Sequence, residues 1–519
     1  MAVPSPQDDP GAGVCAVFAR LLGLYALLLY PILHADRPYN DDLKRALLGR
    51  ASWDSNGRPL ATLLMRALQC YNHAMVDIAP LPQIGAIVVL AWTGARLARR
   101  FTDASPWLAA LLVFTLGAQP FFLENLSYQF DALSMALAIE LAVWPLMLPA
   151  TRRGSGWGIA SLFGALCLYQ PAINVFLVLA LAELVLTQAA DHAASAGLRT
   201  LGRRAMQIAV AMVVYELLVG MHISGWVKRQ AAPIHSWREI PRIADNAATF
   251  CGFVGGSFNA NWWAVFGTLA TLLALGCVAV GLRHACARAP HRSRGQQVLL
   301  MALAVAMPGL AMVAALGPML LLRAPEIQPR VLIGLGALLA SGLLVLRVAL
   351  RTRAWGDRLC VTVAGMFALG MWVIASAYGN AMTDQQHYEQ HIAGRLADDL
   401  ANLSAAKPIY RLVVAGSAGF SPLAAHVAGE FPLMRRLVPT YLDADDGFAT
   451  SGLLMFYLPQ WVDARRPLLN QPLPGDASLA ARCAVAPDRI AAGYRLCVQG
   501  GIAWVQFQPA ALPSADERR

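Results

Sequence analysis

Residues 157–187 read WGIASLFGALCLYQPAINVFLVLALAELVLT, a largely apolar stretch interrupted by Tyr169, Gln170 and Pro171. At 1.5 Å per helical residue it is too long for one untilted crossing of a hydrocarbon layer about 30 Å thick. Proline removes a backbone donor and disfavours helix in the residue before it. The stretch therefore reads as two membrane segments turning at 169–171, the first unusually short. Arg152 and Arg153 precede it, and Arg199, Arg203 and Arg204 follow it. Two basic loops on one side of a membrane require an even number of crossings between them, and two segments supply it.

The same parity holds outward along the chain. Further apolar runs lie at 21–33, 84–97, 108–123, 132–148, 205–219, 263–282, 298–322, 331–350 and 361–378. Basic clusters follow alternate runs: Arg96, Arg99 and Arg100; Arg283, Arg288, Arg292 and Arg294; Arg351, Arg353 and Arg358. The positive-inside rule places all these loops in the cytoplasm. The expectation is an all-α polytopic membrane protein of about eleven segments, N-terminus cytoplasmic and C-terminus outside. Residues 1–13 form an acidic, proline-rich cytoplasmic tail, 14–380 the membrane domain, and 381–519 an exterior domain. The first segment lacks a basic leader and a small-residue cleavage site, so it reads as a retained helix.

Composition agrees. Of 519 residues, 57% are hydrophobic and only 14% charged, against about 25% charged in soluble domains; mean hydropathy is +0.50. The net charge of +10 is confined to short loops, and no stretch interleaves aromatic and basic residues as a nucleic-acid groove requires. No Walker A or dinucleotide-binding pattern occurs, so neither ATP coupling nor a dinucleotide site is expected.

After residue 378 the character changes to a small α/β domain: helix at 388–403, continuing the last span, strands at 409–414 and 502–507, and an amphipathic helix at 424–437. Seven of the nine cysteines sit in or beside spans. Cys483 and Cys497 lie in the exterior domain, where an oxidising compartment permits a disulfide between them.

Four polar constellations fall on the exterior side. The first loop, 34–82, carries the adjacent carboxylates Asp41 and Asp42. One of Asn40 and Asp41 can cap the helix expected over 43–48, whose Leu43, Ala46 and Leu47 would lie on the membrane interface. The remaining acid can serve as a general base on a sugar hydroxyl or as a ligand to a divalent metal. The same loop holds Trp53, a platform for a sugar face or an interfacial anchor, then Asn56, Gly57 and Arg58. Arg58 suits bidentate phosphate binding or snorkelling to headgroups, and Pro59 opens a helix. Glu124, Tyr128 and Asp131 occupy the second loop, as a solvated turn in which Asp131 caps the next helix, or as sugar-binding groups. Tyr169 and Gln170 sit at the break, where polar groups line a cavity. Arg323 and Arg330 flank Glu326, as interfacial anchors or phosphate ligands.

Three of these stretches, with one in the exterior domain, carry a resemblance. RPYNDDLKRALLGRASWDSNGRPLATLL (37–64), ENLSYQFDALSM (124–135), LYQPAINV (168–175) and the segment 412–439 ending EFPLMRRLVP resemble, in order, the type II Gtr glucosyltransferases that modify bacterial O-antigen. The resemblance implies a GT-C-like architecture in the bacterial inner membrane with its site and C-terminal domain at the periplasmic face. It implies transfer of a hexose, usually glucose, from a polyprenyl-phosphate carrier to a lipid-linked glycan, with no nucleotide sugar. The family's acidic pair falls on Asp41 and Asp42, and its GRPL element on residues 57–60; Pro171 departs from the small residue expected after Gln170. The expected mechanism is a single displacement with inversion. Asp42 or Asp41 takes the acceptor proton, and Arg58, then Arg330 and Arg323, meets the leaving phosphate. Glu124, Tyr128, Asp131 and Gln170 bind sugar hydroxyls. No cofactor is required by this reading, with a divalent metal on Asp41 and Asp42 as its variant. The rival class is a transporter or lipid-linked sugar flippase, which broken helices also suit.

Overall fold

The computed structural model describes residues 10–188, 194–223, 225–230, 232–286, 294–462 and 471–509. Most of the tail at 1–13, with Arg288 and Arg292, lies outside them. In chain order the helices are α1 Pro10–Ala35, α2 Asp42–Leu48, α3 Pro59–Leu68, α4 Leu81–Phe101, α5 Pro106–Phe114, α6 Phe122–Ser127 and α7 Ala132–Val143. They continue with α8 Arg152–Leu168, α9 Ile173–Gln188, α10 Ala194–Leu218, α11 Gly225–Gln230, α12 Pro241–Gly255, α13 Ala260–Cys286, α14 Arg294–Leu316 and α15 Gly334–Leu350. The last are α16 Gly356–Ala406, α17 Pro422–Glu430, α18 Met434–Leu437, α19 Gly447–Tyr457 and α20 Ala477–Val485.

Helices therefore occupy every apolar run, the one at 108–123 being interrupted over 115–121. Among the described residues, six stretches are long and apolar enough to cross a membrane: Gly13–Ala35, Leu81–Phe101, Arg199–His222, Ala260–Arg283, Gln297–Leu321 and Gly356–Ala406. The remaining apolar helices α5, α7, α8, α9 and α15 are shorter, so six spans of full length stand against the eleven expected. α8 stops at Leu168, Tyr169 is extended, and a 3₁₀ turn Gln170–Ala172 leads into α9. The break expected at Pro171 is thus present.

Contacts divide the chain into two compact units. The first comprises Met1–Tyr30, Ala51–Asn72 and Ile78–Ala375. Two carboxylates within its apolar helices are paired: Glu140 with Arg96 and with Thr93 Oγ1, and Glu183 with Arg204, whose Nε and Nη2 reach its two oxygens at 2.9 and 3.1 Å; Glu216, on α10, is exposed. Pairing of this kind is what permits a charge to sit among apolar helices.

The second unit comprises Pro31–Arg50, His73–Asp77 and Ser376–Arg519. Its sheet joins β1 Arg411–Gly416, β2 Arg489–Ala491, β3 Tyr494–Gln499 and β4 Ile502–Phe507 in the order β1-β4-β3-β2. β1 runs parallel to β4, with Val413 opposite Trp504, and the other pairs are antiparallel. Leu412, Val414, Leu496 and Val505 alternate onto one face and pack on Leu396, Leu400 and Leu454. The helix expected over 424–437 divides into α17 and α18 at Phe431 and Pro432, since proline cannot continue the ladder.

Cys483 and Cys497 come together in the opposite face's cluster with Val413, Leu479 and Trp504. They stand as buried free thiols, not as the disulfide expected, and Cys483 Sγ lies 3.9 Å from Trp504 O. Burial, with the neighbouring Cys497 thiol, pushes the Cys483 thiol up to about 12.

Candidate functional site

In the first unit the segment 53–58 is wound tightly before α3. Trp53 O accepts from the amides of Asn56 and Arg58 at 3.0 and 2.9 Å, and Gly57 N donates to Asp54 O. Gly57 takes φ +74°, and a Cβ there would stand 2.4 Å from the Tyr215 hydroxyl. Glycine is required on both counts. Pro59 occupies the first turn of α3, as its missing N–H allows.

Trp53 is 1% exposed. It presents no face to a sugar or an interface, which corrects the expected platform. Its indole Nε1 instead donates to Asp131 Oδ1 at 2.7 Å. Asp131 in turn makes no side-chain cap to α7; its carboxylate is directed at Trp53 and lies 3.8 Å from Arg58 Nη1. Nor is 124–131 a solvated turn. Every residue of it is buried, because α6 and the turn after it fold back among the apolar helices.

Arg58 is oriented by three groups. Its Nε donates to Gln170 Oε1 at 3.1 Å, its guanidinium carbon lies 4.7 Å from the centre of the Tyr169 ring, and Asp131 stands beside Nη1. The amide nitrogen of Gln170 donates to Asn56 O, Gly57 O and the Tyr215 hydroxyl at 3.0, 3.3 and 2.9 Å. Asn56 is exposed and contributes its carbonyl to this network. Tyr215, on α10, is a member that sequence reading missed. It lies inside an apolar run, and its only signal was a phenol within a span.

Arg330 sits on a 3₁₀ turn, Pro329–Val331. Its backbone N donates to Glu124 Oε2 at 2.7 Å, and its guanidinium donates to the Tyr128 hydroxyl and to Glu326. Tyr169 OH and Asn125 Nδ2 both donate to Arg330 O, at 2.8 and 3.1 Å. Tyr169 thus touches both arginines. Burial pushes the Glu124 carboxyl up to about 7, against the pull of Arg330. Burial opposes the charge of Arg330 too, yet facing Tyr128, Glu124 and Glu326 hold its guanidinium well above its ordinary value. Arg323 does not join this group: it pairs with Glu239 and His235, each at 2.9 Å.

The arrangement has a simple division. Glu124, Tyr128, Asp131 and Tyr169 are buried supports, whereas the Arg58 and Arg330 side chains each keep 22% of their surface exposed. Two fixed, partly exposed guanidiniums on a buried polar frame suit an oxyanion. Glu326, itself half-exposed, is a weak partner that an anion can displace from Arg330.

In the second unit α2 inverts the expected amphipathic helix. Asp42, Lys44 and Arg45 are buried, while Leu47 is exposed. Lys44 Nζ stands 3.5 Å over the Phe448 ring, and burial pushes its ammonium down to about 8 against the nearby Asp446. Asp41 occupies the cap position without capping; its carboxylate turns to Arg45 one helical turn on, at 2.5 Å. Asp42 is fully buried and accepts from Tyr39 N at 3.3 Å. Only Asp41, with 38% of its side chain exposed, can meet a substrate as the fold stands. The two carboxylates point to different partners, and among the described residues no third acid, histidine or cysteine completes a metal site. The pair does not fit a divalent-metal reading.

The fold and these residues define a helical membrane protein that carries an arginine-centred polar cluster in its helical unit and a buried-charge helix in its α/β unit. The family model described as glucosyl transferase GtrII matches residues 30–341, well over half of the chain, and the protein belongs to that family. It is also similar to an uncharacterised 55.3 kDa protein encoded in the gtrB 5′ region of Salmonella phage P22. The two are 23% identical over 436 residues, covering 82% of this chain and 86% of the relative. No solved structure matches the chain.

Proposed function

We propose that the protein transfers a glucosyl group from a polyprenyl-phosphate carrier to a lipid-linked O-antigen glycan at the periplasmic face of the bacterial inner membrane. The N-terminus would be cytoplasmic and the C-terminal unit periplasmic. Membership of a glucosyl transferase family makes it a glycosyltransferase with a sugar donor and a glycan acceptor. The observation that carries the finer reading is the pair of partly exposed arginines, Arg58 and Arg330, fixed in the membrane unit by Gln170, Tyr169, Tyr128 and Glu124. A sugar phosphate ester is the substrate whose chemistry needs them. As the acceptor oxygen attacks the anomeric carbon, the bond from that carbon to the phosphate oxygen breaks, and charge grows on the departing lipid phosphate. Cations already held in place stabilise that charge without reorganising.

The acceptor hydroxyl must lose its proton in the same step. A carboxylate suits that role, and of the two expected for it Asp41 is partly exposed whereas Asp42 is buried within the second unit. Attack opposite the leaving phosphate inverts the anomeric centre. With the Gln170 amide committed to the network around Arg58, the exposed Asn56 is the polar side chain beside it that remains for a sugar hydroxyl.

The test is transfer of radiolabelled glucose from polyprenyl-phosphate-glucose to the lipid-linked glycan in membranes. Wild type should transfer label, and Arg58→Gln should lower the rate about 10²–10³-fold, as for loss of one donor to a developing oxyanion. Equal rates for both would overturn the phosphate assignment.

A further inference from the structure

We infer that Tyr215 is a positioning residue for Arg58 and thereby sets affinity for the carrier phosphate. The inference rests on the reading of Arg58 as the phosphate ligand. It begins from the peptide that joins Gly57 to Arg58. That peptide plane has two polar edges, and both are held. Arg58 N donates to Trp53 O at 2.9 Å. On the other edge Gly57 O accepts from the Tyr215 hydroxyl at 2.8 Å and from Gln170 Nε2 at 3.3 Å.

The Tyr215 hydroxyl has one proton to give, and it gives it to Gly57 O. Its lone pair accepts from Gln170 Nε2 at 2.9 Å. That bond, with those to Asn56 O and Gly57 O, fixes which way the Gln170 amide faces. With the nitrogen committed to Tyr215, Asn56 O and Gly57 O, the oxygen is left facing Arg58 Nε at 3.1 Å. A reversed amide would present its N–H₂ to the arginine, donor against donor. Tyr215 therefore acts on Arg58 twice, through the backbone before it and through the amide that holds its Nε.

A second observation shows how little freedom the contact has. The Tyr215 oxygen occupies the space that a Cβ on residue 57 would enter, 2.4 Å from it, with Ile223 Cδ1 at 3.0 Å and Gln170 Nε2 at 3.1 Å from the same point. Gly57 is already left-handed, so the tyrosine approaches the backbone as closely as glycine permits. Tyr215 reaches this place from the last turns of α10. Eleven residues earlier the same helix is pinned by Arg204, which bonds Glu183, Gln207 and Pro145 O. A helix fixed at that point can hold its hydroxyl to the loop without drift.

The experiment has two arms, each with wild type, Tyr215→Phe, Gly57→Ala, Arg58→Gln and Tyr215→Phe combined with Arg58→Gln. The first measures equilibrium binding of polyprenyl monophosphate to the purified full chain in lipid nanodiscs. Tyr215→Phe should weaken binding about tenfold, the effect of about 1.4 kcal/mol from the hydrogen bonds lost. Gly57→Ala, which displaces the same hydroxyl from the other side, should do likewise. In the Arg58→Gln background Tyr215→Phe should add nothing, because a residue acting through another has no effect once that one is gone. The second arm measures transfer kinetics: Tyr215→Phe should raise the donor KM about tenfold and leave the acceptor KM unchanged.

A tyrosine that merely packs would give a different pattern. Unchanged lipid-phosphate binding in Tyr215→Phe would overturn the inference, as would equal changes in both KM values or full additivity with Arg58→Gln. Wild type that binds polyprenyl phosphate, with the Tyr215 dependence expected, but transfers no glucose would leave this inference standing and overturn the proposed reaction instead.

Discussion

Replacing Asp41 and Asp42 one at a time should separate chemistry from folding. Asp41→Asn keeps an oxygen for the buried Arg45 guanidinium and loses the charge facing it from a carboxylate that is 38% exposed, which costs about 1 kcal/mol. Asp42 is fully buried and accepts from the Tyr39 amide. Asn at that position brings an N–H₂ into a space shaped for oxygens, at a cost of about 1–3 kcal/mol. For a unit of this size about 2–4 °C of melting temperature accompanies each kcal/mol. Asp41→Asn should therefore melt close to wild type, and Asp42→Asn should melt several degrees lower. The rates should run the other way. Loss of the base should lower glucosyl transfer about 10²–10⁴-fold in Asp41→Asn, whereas the folded fraction of Asp42→Asn should retain most activity. The assay is initial-rate transfer in membranes, normalised to folded protein by size-exclusion fluorescence, beside a thermal melt of each variant. A well-folded, inactive Asp42→Asn with an active Asp41→Asn would refute the argument from exposure.

Three further outcomes are expected. Arg37 and Glu389 form a buried pair at 2.8 Å, with Gln385 and Tyr441 N also on the carboxylate; Arg37→Met or Glu389→Leu alone should cost about 3–5 kcal/mol in thermal or denaturant unfolding, and the double variant much less. The Lys44 ammonium is held below its ordinary value by burial, so the second unit should gain stability as pH rises from about 8 towards 10.5 and lose it as pH falls through about 8. Melting curves of Lys44→Met across that range should lack this slope. Trp53→Phe removes the 2.7 Å donor to buried Asp131 and should destabilise by about 1–3 kcal/mol, read by thermal unfolding; a melt within error of wild type would show that Asp131 is satisfied without the indole.

The sequence alone determined where apolar helices lie and where they break. That information is local: a run of apolar residues can only be placed in lipid or a core, and Pro171 interrupts a helix wherever it stands. The strands expected at 409–414 and 502–507 were legible for the same reason, the first lying two residues later at Arg411–Gly416, as were Gly57 and Pro59 at the start of α3. What tertiary structure decided was which polar residues face inward. α2 is seven residues long, under two turns, so its pattern could be read with Leu43, Ala46 and Leu47 inside or with Asp42, Lys44 and Arg45 inside. Packing against α19, with Phe448 beneath the ammonium, selected the second. Trp53 and the 124–131 segment looked like surface because they are polar or interfacial in type, yet each finds its hydrogen-bond partner far along the chain. Tyr215 meets Gly57 across 158 positions, and no spacing rule reaches that far. A buried polar group is affordable only when a partner waits for it, and only the folded chain shows which partners wait.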